Sequence, residues 1–256
     1  MTGDLNDQHA LVTGAGQGIG EAIARQLLAR GARVTVLGRR AEPLQKLVDE
    51  FPGLCRMELA DVADESQIKT AFAQAASALG AIDILVNNAG QAQSAPFLKM
   101  DAALWQNMLA VNLTGTMLCI QQVLPAMVER GRGRIVNVAS TAGLKGYPYV
   151  AAYCAAKHGV LGLTRALALE LASKGVTVNA VCPGYTETEI VRESIARVVA
   201  KTGRTPEQAM AEFVKGNPQG RLVQPQEVAD AVLWLCGPGA AAITGQSIAV
   251  AGGEVM

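Results

Sequence analysis

Seven short runs rich in β-branched residues punctuate this chain: Ala10 to Thr13, Arg33 to Leu37, Arg56 to Leu59, Ile84 to Val86, Arg134 to Val138, Val176 to Val181 and Ser247 to Val250. Between the first two, Ile19, Ile23, Leu27 and Leu28 fall at helical spacing and Gly31 supplies a stop. The other intervals repeat this pattern. Strands apolar on both faces and alternating with helices require a parallel sheet whose right-handed crossovers cover both sides. The expected fold is α/β, a doubly wound parallel sheet of Rossmann type. No Pro/Ser-rich linker, charge run or composition shift divides the 256 residues, so a single domain is expected over 1–256.

In such sheets ligands bind beyond the carboxyl ends of the strands. The segments that follow six successive strands are Gly14 to Gly20, Gly38-Arg39-Arg40, Asp61-Val62, Asn87 to Gly90, Ser140 and Pro183-Gly184. Each alone reads as turn chemistry. Together on one rim they read as a ligand site.

Composition removes several classes of function. The 22 Lys+Arg balance 22 Asp+Glu, which leaves no electrostatic footprint for nucleic acid. Arg130, Arg132 and Arg134 resemble a dock for an acidic carrier, but Arg134 opens a strand, so the cluster belongs to the opposite rim and reads as a solvated turn. No apolar run approaches the ~20 residues of a membrane helix, and the first residues lack both a basic start and an apolar stretch. No membrane partner and a cytoplasmic location are therefore expected. The five cysteines, Cys55, Cys119, Cys154, Cys182 and Cys236, are scattered amid apolar residues and read as buried small hydrophobes. With only His9 and His158 available, no metal site is expected, and no Ser-His-Asp hydrolase.

The loop Thr13-Gly-Ala-Gly-Gln-Gly-Ile-Gly20 joins the first strand to the first helix. Its glycines Gly14, Gly18 and Gly20, with Gln17 and Ile19 between them as further binding candidates, let the backbone approach a pyrophosphate at the helix N-terminus, where exposed N–H groups and the macrodipole favour an anion. Farther along, Tyr153-Cys-Ala-Ala-Lys157 sets a phenol and an ammonium four residues apart, on one helical face. Ser140, thirteen residues before Tyr153, ends the fifth strand.

These motifs, with Asn88-Ala-Gly90, Asp61-Val62, Asn112 and Pro183-Gly184, make the chain resemble the short-chain dehydrogenase/reductase family from about Ala10 to Gly253. The resemblance implies that Asp61 and Val62 contact an adenine and that Asn88, Ala89 and Gly90 line the adenosine ribose side. It also implies that Thr188 with Pro183 and Gly184 holds a nicotinamide carboxamide. Gly38 replaces the acid that would repel a 2′-phosphate, and Arg39 next to it is a permanent cation suited to that phosphate. NADP(H) is thus favoured and NAD(H) kept as the alternative, since Gln17 stands where many NADP-using members carry Arg or Lys.

A phenol with pKa ~10 is a poor base until nearby positive charge, here Lys157 and an oxidised nicotinamide, stabilises its anion. Tyr153 would then exchange a proton with the substrate oxygen while Ser140 hydrogen-bonds it. The resemblance adds that Lys157 binds the nicotinamide ribose and that Asn112 fixes a water in a proton relay. Tyr147 and Tyr149 either line the pocket or pack.

Residues 185–222 break the strand–helix rhythm with two amphipathic segments, Ile190 to Val199 and Pro206 to Val214. They are expected to form a helical substrate lid whose apolar residues Ile190, Val191, Ile195, Val198, Met210, Phe213 and Val214 cover a largely apolar carbonyl compound. Within the family the chain is most similar to 3-oxoacyl-thioester reductases and bacterial polyketide ketoreductases, notably over Thr177 to Gly184 and Gly237 to Gly245. This implies reduction of a 3-oxoacyl thioester, carried on CoA or a carrier protein, or of a ketide, by a homotetramer. The alternatives are an NAD-dependent 3-hydroxyacyl-CoA or other secondary-alcohol dehydrogenase, and a non-catalytic dinucleotide sensor.

Overall fold

The computed structural model describes residues 5–256, and of Ile190 the backbone alone. Strand β1 (His9–Thr13) leads through the glycine loop into helix α1 (Gly18–Ala29), then β2 (Arg33–Gly38), α2 (Ala41–Glu50), β3 (Cys55–Leu59), α3 (Glu65–Leu79) and β4 (Ile84–Asn87). Helices α4 (Ala102–Leu109) and α5 (Gly115–Glu129) follow, joined by a π-type turn over Ala110–Thr114. Next come β5 (Gly133–Val138), α6 (Ala151–Leu171), β6 (Val176–Pro183), α7 (Glu189–Thr202), α8 (Pro206–Val214), α9 (Pro225–Cys236) and β7 (Ser247–Val250). Every β-branched run of the sequence forms a strand, and β6 runs two residues farther than the pattern indicated.

The seven strands are parallel in the order β3-β2-β1-β4-β5-β6-β7. The chain starts at the middle and reverses direction between β1 and β4, which opens a crevice at their carboxyl ends. Side chains alternate across the sheet as a two-residue period demands. Leu11, Leu37, Leu85, Ile135 and Val178 pack on one face with Ile68 and Phe72 of α3, Val123 and Met127 of α5 and Leu171 of α6. Val12, Val36, Val86, Val136 and Val181 point the other way, to Ile23 and Leu27 of α1, Leu44 and Leu47 of α2 and Val232 and Leu235 of α9. Each such leucine or isoleucine contributes about 1.5–3 kcal/mol by leaving water.

All five cysteines are free and buried, as their apolar neighbours indicated. Two expectations are refined. Of the arginines expected in a solvated turn, Arg132 is 68% exposed, 3.3 Å from Asp83 Oδ1, whereas Arg130 is largely covered, 3.4 Å from the same oxygen, and donates to the Ile82 carbonyl at 2.8 Å. A carboxylate at the entry to β4, across from the start of β5, draws Arg130 in. Among the described residues, Ala102–Glu129 is also long and apolar enough to cross a membrane by length and composition. Gln106, Asn107 and Asn112 interrupt its apolar residues, so the segment holds no unbroken apolar run of that length. Its Leu118, Cys119, Ile120, Val123 and Met127 pack into the core beneath the sheet.

Candidate active site

A cavity of about 710 Å³ opens at the carboxyl rim. Gly14, Gln17, Gly18, Ile19, Gly20, Arg39, Asp61, Val62, Asn88, Ala89, Gly90, Ser140, Tyr153, Lys157, Pro183, Gly184 and Thr188 all line it. Asn112 alone among the expected site residues does not reach the wall and is fully buried behind it.

At the β1–β4 crevice, Asn88 clamps the glycine loop: its Nδ2 donates to the carbonyls of Thr13 and Gly14 at 3.0 and 3.1 Å. In return the Thr13 hydroxyl accepts from the backbone N–H groups of Asn88 and Ala89, both at 3.0 Å. Gly14 has φ +66°, and a Cβ there would lie 2.8 Å from Ala89 Cα; one on Gly18, φ +58°, would lie 3.0 Å from Thr188 Cγ2. Side chains at either position would therefore fill the trough that the loop forms with β4 and the start of α7. Gln17 precedes α1 without capping it, so no side chain of that residue competes for the first-turn N–H groups beside the cavity. A diphosphate fits that cradle.

At the end of β2 two guanidinium groups gather. Arg39, with a side chain 70% exposed, sits 3.5 Å from Asp61 Oδ2. Arg40, which also lines the cavity, donates to the Gln17 side-chain oxygen. Its cation thus stands over the loop position where Gln17 itself supplies none, a contribution that the sequence pattern assigns to Arg39 alone.

The first two turns of α6 carry Tyr153 and Lys157 on one face, with the ammonium 5.7 Å from the phenol ring centroid. Lys157 is 4% exposed and donates to the Val138 carbonyl at 2.9 Å, so its strongest contact goes to the end of β5 and not to the phenol oxygen. Ser140 follows that strand; its hydroxyl accepts from Ala142 N–H at 3.1 Å and hydrogen-bonds the Tyr153 phenol. Burial pushes the Tyr153 phenol up to about 12, outweighing the pull of Ser140, and pushes the Lys157 ammonium down to about 8. The depression expected of the phenol draws on the oxidised nicotinamide together with Lys157. In the protein by itself desolvation is the largest influence on the phenol, the Ser140 hydrogen bond opposes it, and the phenol keeps its proton.

Asn112 occupies the π-type turn. Its Nδ2 donates to the carbonyls of Gln91 and Met108 at 2.9 and 3.0 Å, and its Oδ1 accepts from Gln91 N–H at 3.2 Å. In this structure it ties the segment after β4 to α4.

Over the far end lie α7 and α8. Val191 and Phe213 line the cavity, whereas Ile195, Val198, Met210 and Val214 pack with Ala209 and Leu222 into a small core of their own. The apolar stripes thus serve mainly to join the two helices; the side chain of Ile190 lies outside the described residues. Tyr147 lines the wall and Tyr149 is 65% exposed. Tyr185, which no motif in the sequence singles out, also lines it, next after Pro183-Gly184 on a strand end that the rim rule already marks.

Residues 8–198 match the model of the short chain dehydrogenase family. A putative ketoacyl reductase of Streptomyces coelicolor is 44% identical over 252 residues, 95% of each chain. A D-beta-hydroxybutyrate dehydrogenase of Rhizobium meliloti is 39% identical over 250 residues, 95% of this chain and 97% of that one. The crystal structure of a variant of actinorhodin polyketide ketoreductase with NADPH superposes with a TM-score of 0.93 at 42% identity, covering 99% of both chains.

Proposed function

The chain belongs to the short chain dehydrogenase family, an NAD(P)H-dependent oxidoreductase interconverting a ketone and a secondary alcohol, and from that premise we propose that it uses NADPH to reduce a 3-oxoacyl thioester or ketide. The observation that carries the reading is the meeting of Ser140, Tyr153 and Lys157 in one cavity with the glycine loop and the Arg39–Arg40 pair. When bound, NADPH supplies the hydride that reaches the carbonyl carbon. The Ser140 hydroxyl donates a hydrogen bond to the carbonyl oxygen, and Tyr153 gives that oxygen its proton as negative charge builds there. A phenol held neutral by burial suits the reductive direction, because the donor is already protonated. Lys157 holds the ribose and, as a buried cation, favours the phenolate left behind. Asn112 supports the proton path from behind the wall. Gly14, Gln17, Gly18, Ile19 and Gly20 cradle the diphosphate, Asp61 and Val62 flank the adenine, and Asn88, Ala89 and Gly90 border its ribose. Pro183, Gly184 and Thr188 hold the carboxamide. Arg39 and Arg40 take the 2′-phosphate, a pair of planar forks suited to it.

The test is loss of NADPH absorbance with a panel of 3-oxoacyl thioesters and ketones. Tyr153→Phe is expected to lower turnover by roughly 10²–10⁴-fold and to bind NADPH as the parent does. Undiminished turnover would overturn the proton-donor role, and a parent that turns over no ketone with either cofactor would favour a sensor. Arg39→Ala and Arg40→Ala are each expected to weaken NADPH about tenfold and to spare NADH; equal effects on both would favour an NAD-dependent hydroxyacyl dehydrogenase. As part of the same reading the chain forms a cytoplasmic homotetramer. Light scattering is expected to give four times the 26.6 kDa chain.

A further inference from the structure

At the substrate end of the cavity, a carboxylate from near the chain's end sits in a socket built by other segments. The Glu254 side chain is 4% exposed; its Oε1 lies 3.1 Å from Lys145 Nζ and accepts from the Tyr147 hydroxyl at 2.5 Å. Lys145 Nζ stands 5.0 Å over the Tyr147 ring and reaches the Glu254 backbone carbonyl at 3.4 Å. A Cβ on Gly184, just past β6, would lie 2.9 Å from Glu254 Oε2, and one on Gly216, just past α8, would lie 3.2 Å from Oε1. Both positions leave room that the carboxylate takes.

The socket fixes the direction of the hydroxyl protons. A carboxylate paired with an ammonium only accepts, so the Tyr147 hydroxyl donates to Glu254, and the 2.7 Å contact with Thr141 Oγ1 is donated by Thr141. The phenol proton is aimed at Glu254, and what Tyr147 adds to the cavity wall is its ring. That ring meets Tyr185 edge-to-face at 6.2 Å and 79°, and Tyr185 meets Phe213 of α8 at 5.1 Å and 84°. The chain holds only four tyrosines, four phenylalanines and two tryptophans, yet Tyr147, Tyr185 and Phe213 join Tyr153 around this one cavity. Such concentration marks the wall as a recognition surface, since aromatic rings favour flat partners in offset or edge-on contact.

Resting on the ketoreductase reading above, we propose that Glu254 is a positioning residue for substrate selection: by locking Tyr147 it holds the Tyr147–Tyr185–Phe213 wall, which favours ketones bearing a flat or cyclic apolar substituent over linear ones. The lock works by preorganisation, so the wall need not be ordered by each substrate that arrives.

The test compares α-tetralone with methyl hexyl ketone by calorimetric titration of the NADP⁺-saturated protein and by steady-state kinetics. Glu254→Ala is expected to weaken α-tetralone about tenfold in Kd and KM, with kcat little changed, and to leave methyl hexyl ketone within about twofold. Tyr147→Phe keeps the ring but frees it from Glu254, and is expected to shift in the same direction. Glu254→Gln still accepts from Tyr147 and is expected to lie near the parent. If Glu254→Ala does not fold by circular dichroism, the Tyr147→Phe and Glu254→Gln pair decides alone. Equal shifts for both ketones, no shift, or a parent that binds α-tetralone no better than the linear ketone would overturn the proposal. Absence of turnover in the parent counts against the ketoreductase reading, while the binding comparison still judges the wall.

Discussion

At Lys157 folding and chemistry pull in opposite directions. Burial lowers its pKa from 10.5 to about 8. Between those values the unfolded chain binds more protons than the folded one, so stability rises with pH across that window. Below about pH 8 the full penalty stands, about 3 kcal/mol. The bond to the Val138 carbonyl offsets about 1 kcal/mol of it. Lys157→Met is therefore expected to be inactive yet more stable than the parent at neutral pH, by roughly 2 kcal/mol, and to lose that margin above pH 10.5. Thermal melts at neutral and alkaline pH check this; a variant that melts below the parent at neutral pH would mean the ammonium is well solvated. The Tyr153–Lys157 pair was legible from four-residue spacing, which places two groups on one face whatever surrounds them. Which way their pKa values move was not, because desolvation depends on everything packed around α6.

The π-type turn between α4 and α5 is the element on which Asn112 depends. One extra residue in the turn lets a side chain leave the regular helical face, a common device at functional positions. Here it points Asn112 at both backbone groups of Gln91. Asn112→Ala is expected to leave those groups unpaired, to speed amide hydrogen exchange at residues 89–93 and to lower turnover. Unchanged protection with unchanged rate would remove the clamp from the account. The sequence carried no sign of this turn, because apolar spacing across α4 and α5 is compatible with one continuous helix. The lid shows the converse: its two helices were readable from periodicity, but the same stripes that suggested a substrate cover mostly join the helices to each other.

Across the whole molecule the two rims of the sheet divide the work. The carboxyl rim holds the cavity, while the amino rim holds buried His9, Thr35 and Asp83, with Arg130 and the exposed Arg132 beside the carboxylate. His9 Nδ1 meets the Gly80 carbonyl at 2.7 Å and Nε2 meets the Thr35 hydroxyl at 2.9 Å, an arrangement for a neutral ring. Burial lowers its pKa from 6.5. The unfolded chain then takes up a proton near pH 6.5 that the folded chain takes up only at lower pH, so this contribution is complete above 6.5 and declines as pH falls below it. His9→Gln is expected to flatten that part of the stability profile and to leave kcat at neutral pH unchanged. Chemical denaturation at a series of pH values reads the slope, and an unaltered slope would assign acid sensitivity elsewhere.

What the sequence determined by itself is what local pattern can carry. Alternating strand and helix periods specify a parallel sheet covered on both sides; the sheet specifies the rim; and the rim gathers the glycine loop and Ser140 at strand ends, with Tyr153 and Lys157 on the helix after the fifth strand. What only the tertiary structure decided lies between residues far apart in the chain with no period linking them: Glu254 against Tyr147, Arg40 over Gln17, Asn112 on Gln91 and Arg130 on Asp83. A single charged residue has no phase that a pattern search can detect, and its partner is set by where the crossovers bring the loops together. Burial is likewise a property of the packed whole, and it is burial that keeps the proton on Tyr153.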